Sequence, residues 1–105
     1  CFMEVGYDGL VQAGEGHVER SCYCIHAPMH RLLPGAAAVF HTHMPYTSAL
    51  ARLEDPQILP IGQTELGTMM LTAYDDVYTG PAFDPAEGER LAGVLRDPRR
   101  ASDED

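Results

Sequence analysis

Two histidines separated by one residue are the side chains of this sequence best suited to chemistry. His41 and His43 close the apolar run "AAAVFHTH". Side chains two positions apart on a strand project from the same face, so both imidazoles can bind one divalent ion at about 2.0–2.1 Å. A catalytic zinc site needs a third protein ligand and an open position. His-x-His alone leaves two interpretations open, a pair of metal ligands or a polar strand end.

Further candidate ligands, His17, His26 and His30, lie upstream, because no histidine follows His43. His26 and His30 share a helix face at a spacing of four residues, although one packed and one surface histidine is the simpler interpretation. If "CYCIH" were a strand, Cys22, Cys24 and His26 would line one face and allow a Cys/His zinc site. The helical spacing of the apolar residues disfavours that strand.

The elements that must position the pair predict an α/β layered domain. "FMEV" and "LVQA" flank "GYDG", which is typical of a hairpin with its turn at Asp8-Gly9. "SCYCIHAPMHRLL" predicts an amphipathic helix with Ser21 as its N-cap and Pro28 inside it. "AAAVFHTH" predicts a buried strand. "PYTSALARL" predicts a helix that begins at Pro45.

The second half of the chain is less regular. "ILPIG" predicts a short strand or a turn, and "QTELGTMMLTAY" is ambiguous between helix and strand. "DPAEGERLAGVL" predicts a helix in which Asp84 caps, Pro85 takes the first position and Glu87 completes a capping box. Gly88 and Gly93 lower the helix propensity of this segment.

Length, charge and cysteine content exclude several classes of protein. The net charge of −9 over 105 residues argues against nucleic-acid binding, which needs clustered basic residues. No apolar run approaches the roughly 18 residues of a membrane span. Three cysteines without a secretion signal indicate a reducing compartment, so we expect a cytoplasmic location. The start reads as mid-domain, and we expect a partial domain over residues 1–96 and a disordered polar tail over 97–105.

Together with its neighbours, the His-x-His segment resembles the class II aldolase/adducin family. The matching segments are "DGLVQAGEG", "IHAPMHRLLPGAAAVFHTHMPYTSALA", "LPIGQTE" and "AYDDVYTGPAFDPAEGERLAGVL". The chain follows the adducin-like branch more closely, as "LPIGQ" indicates. The resemblance implies an incomplete three-layer α/β/α domain, Zn²⁺ or another divalent metal bound by His41 and His43, and a parent protein that forms a homo-oligomer, typically a tetramer.

The resemblance also implies a reaction. Enzymes of the family break or form a carbon–carbon bond beside a carbonyl, using a metal to stabilise the enediolate. We therefore expect a fragment of a metal-dependent aldolase-like lyase with a small hydroxy-carbonyl, sugar-derived substrate and little turnover by this chain alone. The alternative is a non-catalytic adducin-like interaction or oligomerisation domain.

Two departures from the family pattern affect the site. The family's third zinc histidine belongs to an Asn-His-Gly motif that this sequence does not contain, so the metal site is expected to be incomplete. The acid/base glutamate of the aldolases aligns with Cys22, and Glu19 lies three residues earlier. Cys22 and Glu19 are thus weak catalytic candidates, with a buried apolar cysteine as the simpler interpretation of Cys22.

Two tyrosines and a pair of aspartates complete the candidates. Tyr46 and Tyr78 can donate a proton or bind a substrate oxygen, although packing is the simpler role for each. Asp75 and Asp76 can replace a missing carboxylate ligand, or they form a solvated loop. The sequence leaves these alternatives open.

Overall fold

The structure, a computed structural model, describes residues 2–96. The predicted tail over 97–105 lies outside this range. The chain divides into two compact units, the first formed by the described residues up to Val39 and from Ala73 onward, the second by Phe40–Thr72. The elements are β1 Glu4–Val5, β2 Val11–Ala13, α1 Arg20–Leu32, α2 Pro45–Leu50, α3 Gln63–Met69 and α4 Pro85–Arg96.

The predicted N-terminal hairpin is confirmed, with β1 and β2 paired in antiparallel register. At its turn, the Asp8 carboxylate accepts a hydrogen bond from the Leu10 N–H at 3.0 Å. Gly9 adopts φ +84°, a conformation that side-chain-bearing residues disfavour. The Tyr23 ring of α1 lies against Gly9, and its hydroxyl donates to the Tyr7 carbonyl oxygen at 2.8 Å. α1 thereby holds the hairpin turn.

The helix α1 is confirmed, but its predicted N-cap, Ser21, is wrong. The helix begins at Arg20, and Glu19 caps it by accepting a hydrogen bond from the Cys22 N–H at 2.9 Å. The Ser21 hydroxyl donates to the same carboxylate. The longer glutamate side chain reaches the free N–H groups of the first turn as a shorter cap residue would, so the helix starts two residues earlier than a serine cap would set it.

α1 packs on α4 to form the core of the first unit. Cys24, Pro28 and Met29 are buried on α1, and Gly88 and Ala92 are buried on α4. The spacing of four residues places the small residues Cys24 and Pro28 on one face of α1, and Gly88 and Ala92 on one face of α4. The two helices therefore meet through small residues, which permits a close approach.

The closest approach joins Gly88 to the backbone of α1. Pro28 has no N–H to donate to the Cys24 carbonyl, its partner four residues earlier. A Cβ on Gly88 would overlap that carbonyl oxygen and would lie 2.8 Å from the Ile25 carbonyl oxygen and 2.9 Å from Pro28 Cγ. The helix contact thus requires a residue without a side chain at position 88.

The start of α4 follows the prediction in part. Pro85 is its first residue, and the Asp84 carboxylate accepts a hydrogen bond from the Ala86 N–H at 2.8 Å, as a cap does. The predicted capping box is wrong, because the Glu87 carboxylate instead accepts from Arg90 Nη2 at 2.7 Å. Arg90 competes successfully since its guanidinium is a charged donor.

The predicted strand over Ala36–His43 is also wrong. These residues form no strand, and the side chain at its centre, Phe40, is 85% exposed. A buried strand needs neighbouring strands to satisfy its backbone N–H and carbonyl groups. Within residues 2–96 the only strands are β1 and β2, which pair with each other. A three-layer α/β/α arrangement is therefore not confirmed.

The second unit contains two short helices. α2 starts at Pro45, as predicted, and ends at Leu50, before the predicted position Leu53. The ambiguous segment "QTELGTMMLTAY" contains α3, so it is a helix in part, and "ILPIG" is a loop. No helix within the described part of the chain has the length and apolar character required to cross a membrane.

Candidate metal centre

The structure brings His41 and His43 together at the surface of the second unit. Their Nε2 atoms lie 2.9 Å apart, and their ring centroids are separated by 4.9 Å with a tilt of 31°. Both side chains are exposed. A separation of 2.9 Å is within hydrogen-bond distance, and which nitrogen would donate depends on the tautomer of each ring. The pair forms although residues 36–43 are not a strand.

The geometry of the pair is close to what a shared ion requires. Two imidazoles on one tetrahedral zinc ion hold their donor nitrogens about 3.3 Å apart, given Zn–N distances of about 2.0–2.1 Å. Exposed rings reach that separation by small rotations about their side-chain bonds. Both Nε2 atoms must then present lone pairs to the ion. Two neutral imidazoles therefore fit two of the ligand positions.

No third ligand accompanies the pair within residues 2–96. Groups of three or more His, Cys, Asp or Glu side chains placed to hold one ion are absent from this range. Cys22, Cys24 and His26 lie on α1, so the strand that would have aligned them does not form. His30, on the same helix, directs its Nδ1 to the Ala36 carbonyl oxygen at 3.1 Å. A complete site thus needs a ligand from beyond the described residues.

Glu19 and Cys22, the weak catalytic candidates, are joined to each other at the start of α1. Two hydrogen bonds hold the pKa of the Glu19 carboxyl below its ordinary value. The larger effect comes from the Ser21 hydroxyl and the smaller one from the Cys22 N–H. A carboxylate that stays ionised is a poor general acid at neutral pH. Cys22 is exposed, contrary to the buried role expected for it. Glu19 acts here as a helix cap.

Tyr78 lies in an exposed loop of the first unit, and 85% of its surface is accessible. Tyr46, the other aromatic candidate, is 92% exposed in the second unit. Neither tyrosine has the packing role that the sequence favoured. An exposed phenol is free to donate a hydrogen bond to a ligand oxygen.

Asp75, a candidate metal ligand, is instead paired with Arg90 of α4. The two Arg90 Nη atoms contact the two carboxylate oxygens at 2.7 and 2.8 Å. The hydrogen bond from Arg90 lowers the pKa of Asp75 and, likewise, that of Glu87, and the two carboxylates raise the pKa of Arg90. A bidentate pair of this kind is among the stronger polar contacts in proteins, so Asp75 is not available to a metal.

Arg90 is the residue that the sequence did not single out. The signal was present in part, because Glu87 and Arg90 lie three residues apart on one helix face. The pairing with Asp75 joins residues 15 positions apart across a loop. Nothing in the local spacing shows which of the two adjacent aspartates, Asp75 or Asp76, turns toward the helix.

Comparison with known proteins identifies the family. A family model described as the class II aldolase and adducin N-terminal domain matches residues 1–102 of the 105-residue chain. Searches against curated proteins and against solved structures gave no match. The family match covers nearly the whole chain and agrees with the resemblance seen at the His-x-His segment. The chain belongs to the class II aldolase and adducin family.

Proposed function

We propose that this domain is part of a metal-dependent aldolase-like lyase that acts on a small hydroxy-carbonyl, sugar-derived compound. The observation that carries the proposal is the 2.9 Å approach of the two exposed imidazole nitrogens of His41 and His43. Two adjacent neutral imidazoles at the surface are a typical partial site for zinc. An interaction domain has no need of such a pair.

His41 and His43 would hold the ion, Zn²⁺ or another divalent metal. When bound, the ion supplies a Lewis acid beside the substrate carbonyl. The chain's own residues contribute two neutral nitrogen ligands and leave the other coordination positions open. The third protein ligand and the acid/base group would come from beyond the described residues, since Glu19 is engaged as a cap. This chain alone should therefore show little turnover. Its proposed location is the cytoplasm.

Zinc binding by the isolated chain tests the proposal. Removing an outer-shell partner already costs about 10–100-fold in metal affinity, so replacing a ligand in His41→Ala should weaken zinc binding by more than about tenfold. His17→Ala is the matched control, because His17 is also an exposed histidine but lies outside the pair. Isothermal titration and elemental analysis measure affinity and stoichiometry. Equal zinc binding by His41→Ala and the unaltered chain would overturn the proposal.

A second candidate function, a non-catalytic interaction or oligomerisation domain, is favoured by the apolar surface of the second unit. Large apolar side chains are more than 75% exposed there: Phe40, Tyr46, Ile61, Met70 and Leu71. Where such side chains form a contiguous patch, they mark a protein-binding surface. The family's common homo-oligomeric assembly agrees with such a surface.

Sedimentation measurements separate the two functions. A stable oligomer that binds no zinc would favour the interaction domain. Zinc binding that depends on His41, with or without self-association, would favour the lyase. The double variant Ile61→Ser with Leu71→Ser tests the surface directly, because both side chains are at least 80% exposed and the exchange should reduce association without harming the fold.

A further inference from the structure

Arg90 is the centre of a polar cluster that joins α4 to the loop Asp75–Thr79. Its guanidinium donates to both oxygens of Asp75 at 2.7 and 2.8 Å and to the Val77 carbonyl oxygen at 3.2 Å. It also donates to Glu87 from Nε at 3.0 Å and from Nη2 at 2.7 Å. The side chains of Arg90, Asp75 and Glu87 are 18–29% exposed, so these contacts are partly shielded from water.

The cluster fixes the residues on both sides of Tyr78. Asp75 and the Val77 carbonyl are held by Arg90, and the Thr79 hydroxyl donates to the Glu87 carboxylate at 3.4 Å. The Val77 N–H also donates to Asp75 at 3.4 Å. Tyr78 itself makes no hydrogen bond to any described residue, and its ring is 85% exposed. The loop is thus tethered on each side of one free aromatic side chain.

We propose that Arg90 is a positioning residue, which holds the loop Asp75–Thr79 so that the Tyr78 phenol can hydrogen-bond an oxygen of a small hydroxy-carbonyl ligand. The ligand class rests on the proposed function. A loop that is already ordered loses little conformational entropy when a ligand binds. The exposed phenol can donate to a carbonyl oxygen or accept from a hydroxyl group.

The role requires arginine rather than any cation. The planar guanidinium can bind both oxygens of Asp75 while a second edge reaches Val77 and Glu87, whereas lysine is a point charge without that fork. The charge of the cluster is maintained at neutral pH, because Arg90 holds the pKa of Asp75 and of Glu87 low. Arg90→Lys therefore keeps the charge and removes the geometry.

Fluorine NMR of the full chain labelled with 3-fluorotyrosine tests the proposal. The chain contains five tyrosines, and Tyr78→Phe assigns the signal of Tyr78. We expect Arg90→Lys to move the Tyr78 signal alone toward that of free fluorotyrosine. Dihydroxyacetone, used as the hydroxy-carbonyl probe, should shift the Tyr78 signal, and its apparent Kd should rise about three- to tenfold in the variant.

Asp75→Asn is the second test variant, in case Arg90→Lys does not fold, and Asp76→Asn is its matched control. Asp76 carries the same charge in the same loop but makes none of the contacts to Arg90. We expect Asp75→Asn to reproduce the effect of Arg90→Lys and Asp76→Asn to leave the Tyr78 signal and the Kd unchanged. A merely structural role for Arg90 would instead shift the signals of the other tyrosines as well.

The outcomes separate this inference from the proposed function. A Tyr78 signal that is the same in Arg90→Lys, Asp75→Asn and the unaltered chain would overturn the positioning role. A Tyr78 signal that dihydroxyacetone does not shift in the unaltered chain would overturn the ligand role of Tyr78. Equal zinc binding by His41→Ala and the unaltered chain would contradict the proposed function and leave the tyrosine results standing.

Discussion

Replacing Gly88 by alanine places a methyl group against the backbone of α1. The new Cβ would overlap the Cys24 carbonyl oxygen and would lie 2.8 Å from the Ile25 carbonyl oxygen. Both neighbours are helix backbone, so neither can turn aside as a flexible side chain would. Gly93, on the same helix, has open space around it, with nothing within 4 Å of a Cβ built there. The two glycines form a matched pair.

The magnitude follows from two opposing terms. Alanine in a helix interior is more favourable than glycine by about 0.5–1 kcal/mol, and this gain applies at both positions. Gly93→Ala should therefore stabilise the chain by about 0.5–1 kcal/mol. Overpacking costs about 1–3 kcal/mol, and contact with rigid backbone places Gly88→Ala near the upper end. The difference between the two variants isolates the steric term, which we expect to be about 2–3 kcal/mol.

Urea denaturation followed by far-UV circular dichroism measures this difference. With a slope of about 2 kcal/mol per molar urea, the midpoints of the two variants should differ by about 1 M or more. Hydrogen exchange at the amides of α1 and α4 shows whether the destabilisation is located at the helix contact. If Gly88→Ala is as stable as Gly93→Ala, the close approach of the two helices is refuted.

Three further predictions concern polar contacts. Arg90 lowers the pKa of Asp75, so the stabilisation from this pair is present above the ordinary aspartate pKa of about 3.9 and is lost as the pH falls through the lowered value. Amide exchange of the loop residues, followed against pH, measures this loss of stabilisation. A pH profile that is the same in Asp75→Asn and the unaltered chain would contradict the prediction. Tyr23→Phe removes the hydroxyl that donates to the hairpin and should cost about 1 kcal/mol, seen as faster exchange of hairpin amides, whereas the exposed Tyr46→Phe should change nothing. Glu19→Ala should speed amide exchange in the first turn of α1, and unchanged exchange there would remove its role as the N-cap.

Local patterns were sufficient for the hairpin, for most of α1 and for α4. The turn at Asp8-Gly9 and the cap at Asp84 depend on conformational preferences of two or three neighbouring residues, so the sequence alone predicts them. The family could also be identified from the sequence, because matching segments extend over most of the chain. The separation of His41 and His43 by a single residue allows their rings to meet, although the strand expected to align them does not form.

Other features depended on contacts between distant segments. The strand expected over Ala36–His43 requires paired neighbours, and the described residues supply none. Glu19 rather than Ser21 caps α1, because its longer side chain reaches a free N–H group of the first turn. Glutamate is not among the residues usually preferred at an N-cap.

The sequence by itself determined that the two candidate metal ligands, His41 and His43, are separated by a single residue, so their nearness needs no contact between distant segments. Only the tertiary structure decided that Gly88 is required for the close helix contact, whereas the sequence alone treated it as a weak helix residue. It also decided that Arg90 binds Asp75 rather than its neighbour Asp76. The physical reason is that steric fit and charge pairing depend on distances in space, and these are set once α1, α4 and the loop before α4 have packed together.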